Sequence, residues 1–170
     1  MKKTLLYLFL CCAFVVSAQV TNEGTPESWK LSNVKNIESI KMPKFDLQAL
    51  QAEDAIHDGQ GDRPWRFGKE FTVNHSLQNS GGWTTLKNGD RIWRIRYKSE
   101  GAITMNFLFE DFYVPRGAKI YLYNNDKSDL LGAYDYNQNN SERTLGTWLV
   151  DGDDVWIEYY EPAILLLKKD

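Results

Sequence analysis

Residues 88–125, NGDRIWRIRYKSEGAITMNFLFEDFYVPRGAKIYLYNN, constrain the fold more than any other part of the chain. Asn88-Gly89 predicts a type I′ turn, which needs φ > 0 at both central residues. After it Trp93, Ile95 and Tyr97 alternate with Arg94, Arg96 and Lys98. That period of two predicts a strand with one apolar and one basic face. Ser99-Glu100-Gly101 ends the run. A second strand is expected with Ile103, Met105, Phe107 and Phe109 on one face and Thr104, Asn106 and Glu110 on the other. Pro115-Arg116-Gly117 turns the chain again, because proline fixes φ and glycine relaxes it. A third strand over 119–123 is expected to bury Ile120 and Leu122 and to turn Tyr121 and Tyr123 to the opposite side. Three strands with short turns predict an antiparallel meander.

The rest of the chain extends that pattern. Further strands are expected over 69–74, 83–86, 130–136, 144–150 and 155–160, separated by turns such as Asn79-Ser80-Gly81-Gly82 and Asp151-Gly152. About eight short strands at this spacing define an all-β fold, an antiparallel β-sandwich or jelly roll. An aromatic content of 14% agrees, since aromatic side chains suit a pleated, half-buried surface. A length of 170 residues allows one domain with a real core. Net charge is −3 and the pI about 5.5, with no basic run long enough for a nucleic-acid footprint.

The N-terminus reads as a targeting segment, residues 1–18. Lys2-Lys3 supply a positive start, residues 5–16 an apolar run and Val16-Ser17-Ala18 a small-residue cleavage site. The expectation is a secreted or periplasmic chain with no membrane anchor after cleavage. Cys11 and Cys12, the only cysteines, leave with this segment, so no disulfide is expected. Residues 19–62 form a leader. Asp46 is expected to cap a short helix over 47–56, with Leu47, Leu50 and Ala55 on one face. Residues 58–62, DGQGD, read as a linker. The sandwich domain is expected over 63–163. The tail 164–170 does not read as a finish to the fold, and an interrupted reading frame is expected there.

Several stretches together resemble a known family. They are Met42-Pro43-Lys44-Phe45-Asp46 with Glu53-Asp54, Trp65-Arg66-Phe67-Gly68, the 88–94 run NGDRIWR, Gly101-Ala102 and Val114-Pro115-Arg116-Gly117-Ala118. Tyr121-Leu122-Tyr123-Asn124, Leu131-Gly132-Ala133 and Glu158-Tyr159-Tyr160-Glu161-Pro162 complete the set. In order and spacing they resemble the N-terminal pro-region of secreted trypsin-like serine endopeptidase precursors, of the lysyl-endopeptidase type found in Bacteroidetes-like bacteria. The resemblance implies a non-catalytic β-sandwich that helps fold, mask or position a cognate trypsin-like protease domain. This chain departs from the family by stopping at Asp170.

The residues themselves place no catalytic or metal site and imply no cofactor. A trypsin-like centre needs a serine nucleophile, a histidine base and an orienting aspartate. Ser80-Gly81-Gly82 with nearby His75 echoes that loop, but Asn79 and Gln78 stand where Asp and Gly are needed. It reads as a glycine turn. His57 reads as a solvated loop histidine, and Asp151-Gly152-Asp153-Asp154 as an acidic hairpin turn rather than a Ca²⁺ loop. Of the aromatics, Trp65, Trp83, Trp93, Trp148, Trp156, Tyr134 and Tyr136 are read as core. Tyr121 and Tyr123, opposite to Ile120 and Leu122, are the candidate ligand or partner surface unless a segment covers them, for which the helix around Leu47 and Leu50 is the expected cover. The alternative to a pro-region is a free-standing carbohydrate- or protein-binding module.

Overall fold

The computed structural model describes residues 22–61 and 63–166. The expected targeting segment, with its two cysteines, and residues 167–170 of the tail lie outside the described residues. The described residues are β-rich with one α-helix, α1 (Leu47–Gln60). The first strands are β1 (Ile40–Lys41), β2 (Gly82–Thr85), β3 (Arg91–Lys98), β4 (Thr104–Met105) and β5 (Leu108–Phe109). They are followed by β6 (Lys119–Asn124), β7 (Leu130–Tyr134), β8 (Leu145–Gly146), β9 (Val150–Asp151) and β10 (Asp154–Glu161). No helix among the described residues is long and apolar enough to cross a membrane.

The main sheet has six strands in the order β1-β3-β10-β6-β7, with β2 also on β3. All its ladders are antiparallel except β1 on β3. β10 pairs with β3 along its whole length, from Asp154↔Lys98 to Glu161↔Arg91, and with β6 on its other side. The expected meander therefore does not form: the last described strand lies between the first and third of the 88–125 stretch. The expected middle strand divides into β4 and β5, which pair with β9 and β8 instead. The expected 144–150 strand divides in the same way. The cause is a register slip between Met105↔Val150 and Leu108↔Gly146, a bulge that interrupts both ladders. Alternation survives the break: Met105, Phe107 and Phe109 still pack on the core, but Ile103 is 88% exposed.

Other local signals resolve differently. The Asn88-Gly89 loop is not type I′, because φ is positive at Gly89 (86°) and not at Asn88. Gly89 N–H donates to Leu86 carbonyl (3.0 Å) and Leu86 N–H to Asp90 carbonyl (2.7 Å). That is the three-residue hairpin with glycine at the left-handed position. No strand forms over 69–74. Phe71 packs against Phe45 (centroids 6.1 Å apart), and Val73 is exposed. Alternation without a neighbouring strand to pair with does not make a strand. Asp46 caps α1 as expected, its carboxylate accepting from Ala49 N–H at 3.0 Å. The helix then runs through the expected linker to Gly61, whose φ of 63° ends it. None of its residues is buried. Arg66 holds it from the following segment, 2.6 Å from Glu53 and 3.1 Å from Asp54.

The main sheet buries both faces. One carries Trp93, Ile95, Tyr97, Leu122, Val155, Ile157 and Tyr159, covered by Phe112, Val114 and Val150 together with Met105, Phe107 and Phe109. The opposite face carries Tyr121, Tyr123 and Trp156, covered by Trp29 and Ile37 from the N-terminal segment.

Candidate functional site

That N-terminal segment, residues 22–41, is a strap running from one edge of the sheet to the other. It begins beside β7, where Asn22 bridges Gly132 in parallel and Ala133 N–H donates to Glu23 carbonyl at 2.9 Å. It crosses β6 and β10 through a 3-10 turn, Glu27–Lys30, and ends as β1 on the far side of β3. Two glycines permit the close approach. A Cβ at Gly24 would lie 2.7 Å from Tyr121 Oη, and one at Gly82 would lie 2.5 Å from Ile37 Cδ1. Pro26, within the strap, is fully buried.

Under the strap lies a buried polar network centred on Glu158, which is 0% exposed in the middle of β10. Its Oε1 accepts from Ser28 N–H at 3.1 Å, and its Oε2 from the Tyr123 hydroxyl at 3.0 Å. The Tyr123 proton is thus committed, so the Ser28 hydroxyl donates to Tyr123 Oη at 3.0 Å. Burial, and then the neighbouring Glu158 carboxylate, push the Tyr123 phenol well above the ordinary tyrosine range. Tyr121 is shifted the same way by burial, with Glu27 and Glu158 adding to it. Arg94 faces Glu158 across the ladder. Its guanidinium donates to Lys35 carbonyl in the strap and lies 4.8 Å from the Trp156 ring centroid. Arg96 lies 5.1 Å from the same ring and is held by both oxygens of Asp154 at 2.7 and 2.6 Å.

Where the strap leaves the sheet it opens a cleft of about 290 Å³, bounded by Leu31, Ser32 and Val34 on one side and by Arg94, Asn125, Lys127 and Trp156 on the other. Asn125 Oδ1 accepts from Trp156 Nε1–H at 3.0 Å, which leaves its amide NH₂ without a partner among the described residues. Lys127 stands on the turn after β6 at a φ of 65°, its ammonium 5.5 Å from the Trp29 ring. It forms no ion pair among the described residues. The buried Trp29 indole N–H has no hydrogen-bond partner among the described residues.

Tyr121 and Tyr123 do turn away from Ile120 and Leu122, but they form no open surface: they are 3% and 2% exposed. Their cover is the strap, not α1, which buries nothing. Of the residues around the cleft, Tyr123 was the sequence candidate for a ligand surface and Trp156 was read as core, while the rest were given no site role. Glu158, a charge between Ile157 and Tyr159 in an apolar run, was a usable signal. Ser28, Asn125 and Lys127 carried none, since each is an ordinary loop residue until the sheet assembles.

The other sequence candidates are placed apart. Ser80 Oγ donates to Asn79 Oδ1 at 2.6 Å, and its carbonyl accepts from Trp93 Nε1–H at 2.8 Å. His75 Nδ1 bonds the Tyr97 hydroxyl at 2.9 Å. The serine and the histidine are thus each engaged elsewhere. Gly81 has a φ of 66°, and a Cβ there would strike the Arg94 carbonyl, so the glycine turn is required by packing. His57 is in the last turn of α1 rather than in a loop, beside Arg63. Asp154 serves Arg96, and Asp153 accepts from Gly101 N–H at 3.4 Å. Among the described residues no cluster of three or more His, Cys, Asp or Glu is placed to hold a metal ion. Of the tryptophans read as core, Trp93 and Trp156 are buried, but Trp65 and Trp148 are 81% and 61% exposed.

No family model matches the chain, and no solved structure matches it.

Proposed function

We propose that this chain is an exported, non-catalytic β-sandwich of the pro-region type, which binds a trypsin-like protease domain and helps fold, mask or position it. The strap carries this reading. The sheet holds a strap of its own chain across its width, and at the 3-10 turn of that strap a buried carboxylate takes a main-chain N–H, Ser28 to Glu158. The short β4–β9 and β5–β8 ladders stacked over the other face support the sandwich architecture. The engagement of Ser80 with Asn79, and of His75 with Tyr97, supports a non-catalytic role.

The test is refolding of a denatured lysyl-type endopeptidase domain with the purified chain added in trans. The expected result is a higher yield of active protease, or inhibition of the folded one. Absence of both effects at tens of micromolar chain would overturn the pro-region role. The second reading, a free-standing carbohydrate- or protein-binding module, is favoured by the exposed Trp65 and Trp148, since exposed tryptophans are interface residues by type. An array of polysaccharides, with a Trp148→Ala variant as control, separates it from the first.

A further inference from the structure

We propose that the cleft beside the strap is a binding site for a carboxylate carried on a polypeptide, either an acidic side chain or a chain terminus. This holds whether or not the chain accompanies a protease.

The chemistry of the cleft is one-sided. Its ionised side chains are Arg94 and Lys127, both cations. The one carboxylate close by, Glu158, is fully buried, with an oxygen accepting from Ser28 and the other from Tyr123. Asn125 spends its oxygen on Trp156 and keeps its two N–H donors. A lining whose charge and unused amide are all donors selects an anionic, acceptor-rich ligand. Arg94 is also preset for it. The guanidinium is held over Trp156 and tied to Lys35 carbonyl, so little freedom is lost on binding.

Two observations favour a polypeptide over a sugar. Trp156 is occupied by Arg94 and Arg96 at 4.8 and 5.1 Å from its centroid, so the ring offers no platform for a pyranose. The strap wall offers backbone instead. Ser32, Asn33 and Val34 make no main-chain hydrogen bond among the described residues. An extended peptide laid along them would pair with those groups in the manner of an added strand, with its carboxylate reaching Arg94 and Lys127. The volume of about 290 Å³ suits one or two residues of such a peptide.

The test follows the indole N–H signals of the ¹⁵N-labelled full chain during titration with three short peptides of one sequence. The first is blocked at both ends and contains two Glu; the second is its Gln counterpart, also blocked; the third is the Gln peptide with a free C-terminal carboxylate. The expected result is that the Glu or the free-carboxylate peptide binds at least about tenfold more tightly than the blocked Gln peptide, the worth of a charge-assisted bond. Which of the two binds identifies the source of the carboxylate. Affinity should fall as salt rises and fall at least about tenfold again in Lys127→Glu. Lys127 is an exposed turn residue, so this variant keeps the fold, whereas Arg94 variants risk losing it. Equal binding of all three peptides, no binding by any, or an unchanged affinity in Lys127→Glu would overturn the proposal. Tighter binding of free glucuronate than of the peptides would overturn its polypeptide part. Refolding assistance to a protease is a separate readout and decides neither outcome.

Discussion

The two faces of the main sheet are made by the same strands and are held by different physics. On the first, Trp93, Ile95, Leu122, Val155 and Ile157 meet apolar side chains from β4, β5 and β9, and burial of nonpolar area dominates. On the second, Tyr121, Tyr123 and Trp156 meet a single segment, and the polar groups brought inside are held by named partners, with Trp29 Nε1–H the exception among the described residues. The first face tolerates any well-fitting hydrophobe. The second is specified by Ser28, Glu158 and Arg94, whose hydrogen bonds fix where the strap lies. A chain can therefore store packing on one side of a sheet and binding-like recognition on the other.

The largest expected effect is on the first face. Trp93→Ala removes a buried ring and its bond to Ser80 carbonyl, at a cost of about 3–5 kcal/mol. Against a typical total of about 5–15 kcal/mol, denaturant titration should show a large loss of midpoint or no folded baseline. An unchanged midpoint would abolish the contrast. Next comes Glu158→Ala on the second face. It strands the Ser28 N–H and the Tyr123 hydroxyl, and an orphaned buried donor costs about 1–3 kcal/mol. Limited proteolysis should then cut within the strap before the sheet. If the strap stays as protected as in the parent, the network does not hold it. Ser28→Ala should cost less, about 1 kcal/mol for one hydroxyl bond, with the cut still confined to the strap. The last effect is invisible at neutral pH. Burial pushes Tyr97 on the first face up to about 12, and burial, with the Asp90 bond, does the same for Tyr160. The unfolded chain ionises these phenols near their ordinary value of 10.0, so it releases protons first. Stability should then be intact below pH 10 and decline as pH rises toward 12. Absorbance titration near 295 nm reads this directly, and an ordinary midpoint for every tyrosine would contradict the burial.

How far the sequence foretold these faces follows the same division. The alternation of Trp93, Ile95 and Tyr97 located the first face because burial there is a property of each strand alone. The phase of Tyr121 and Tyr123 was legible for the same reason. Their cover was not, because Trp29 and Ile37 are isolated apolar residues in a polar segment, whereas Leu47 and Leu50 advertise an amphipathic helix. α1 forms where its Asp46 cap predicts, yet it covers nothing. The meander failed because neighbours in sequence are usually neighbours in a sheet, and here β10 enters between β3 and β6. The cleft was hidden furthest: it brings Ser32 together with Arg94, Lys127 and Trp156, and none of these segments signals another.

The central place of β10 has a consequence for how the molecule comes into being. Synthesis proceeds from the N-terminus, and β10 is the last of the described strands. Until it emerges, β3 and β6 have no common neighbour and the strap has no Glu158 to grip, since Ser28 and Glu158 are separated by 130 positions. The strap is made early, yet its anchor on Glu158 can form only after β10 has been made. Such distant pairing makes folding slow and late rather than progressive. A chain cut before Asp154 should lose both the link between β3 and β6 and the anchor of the strap.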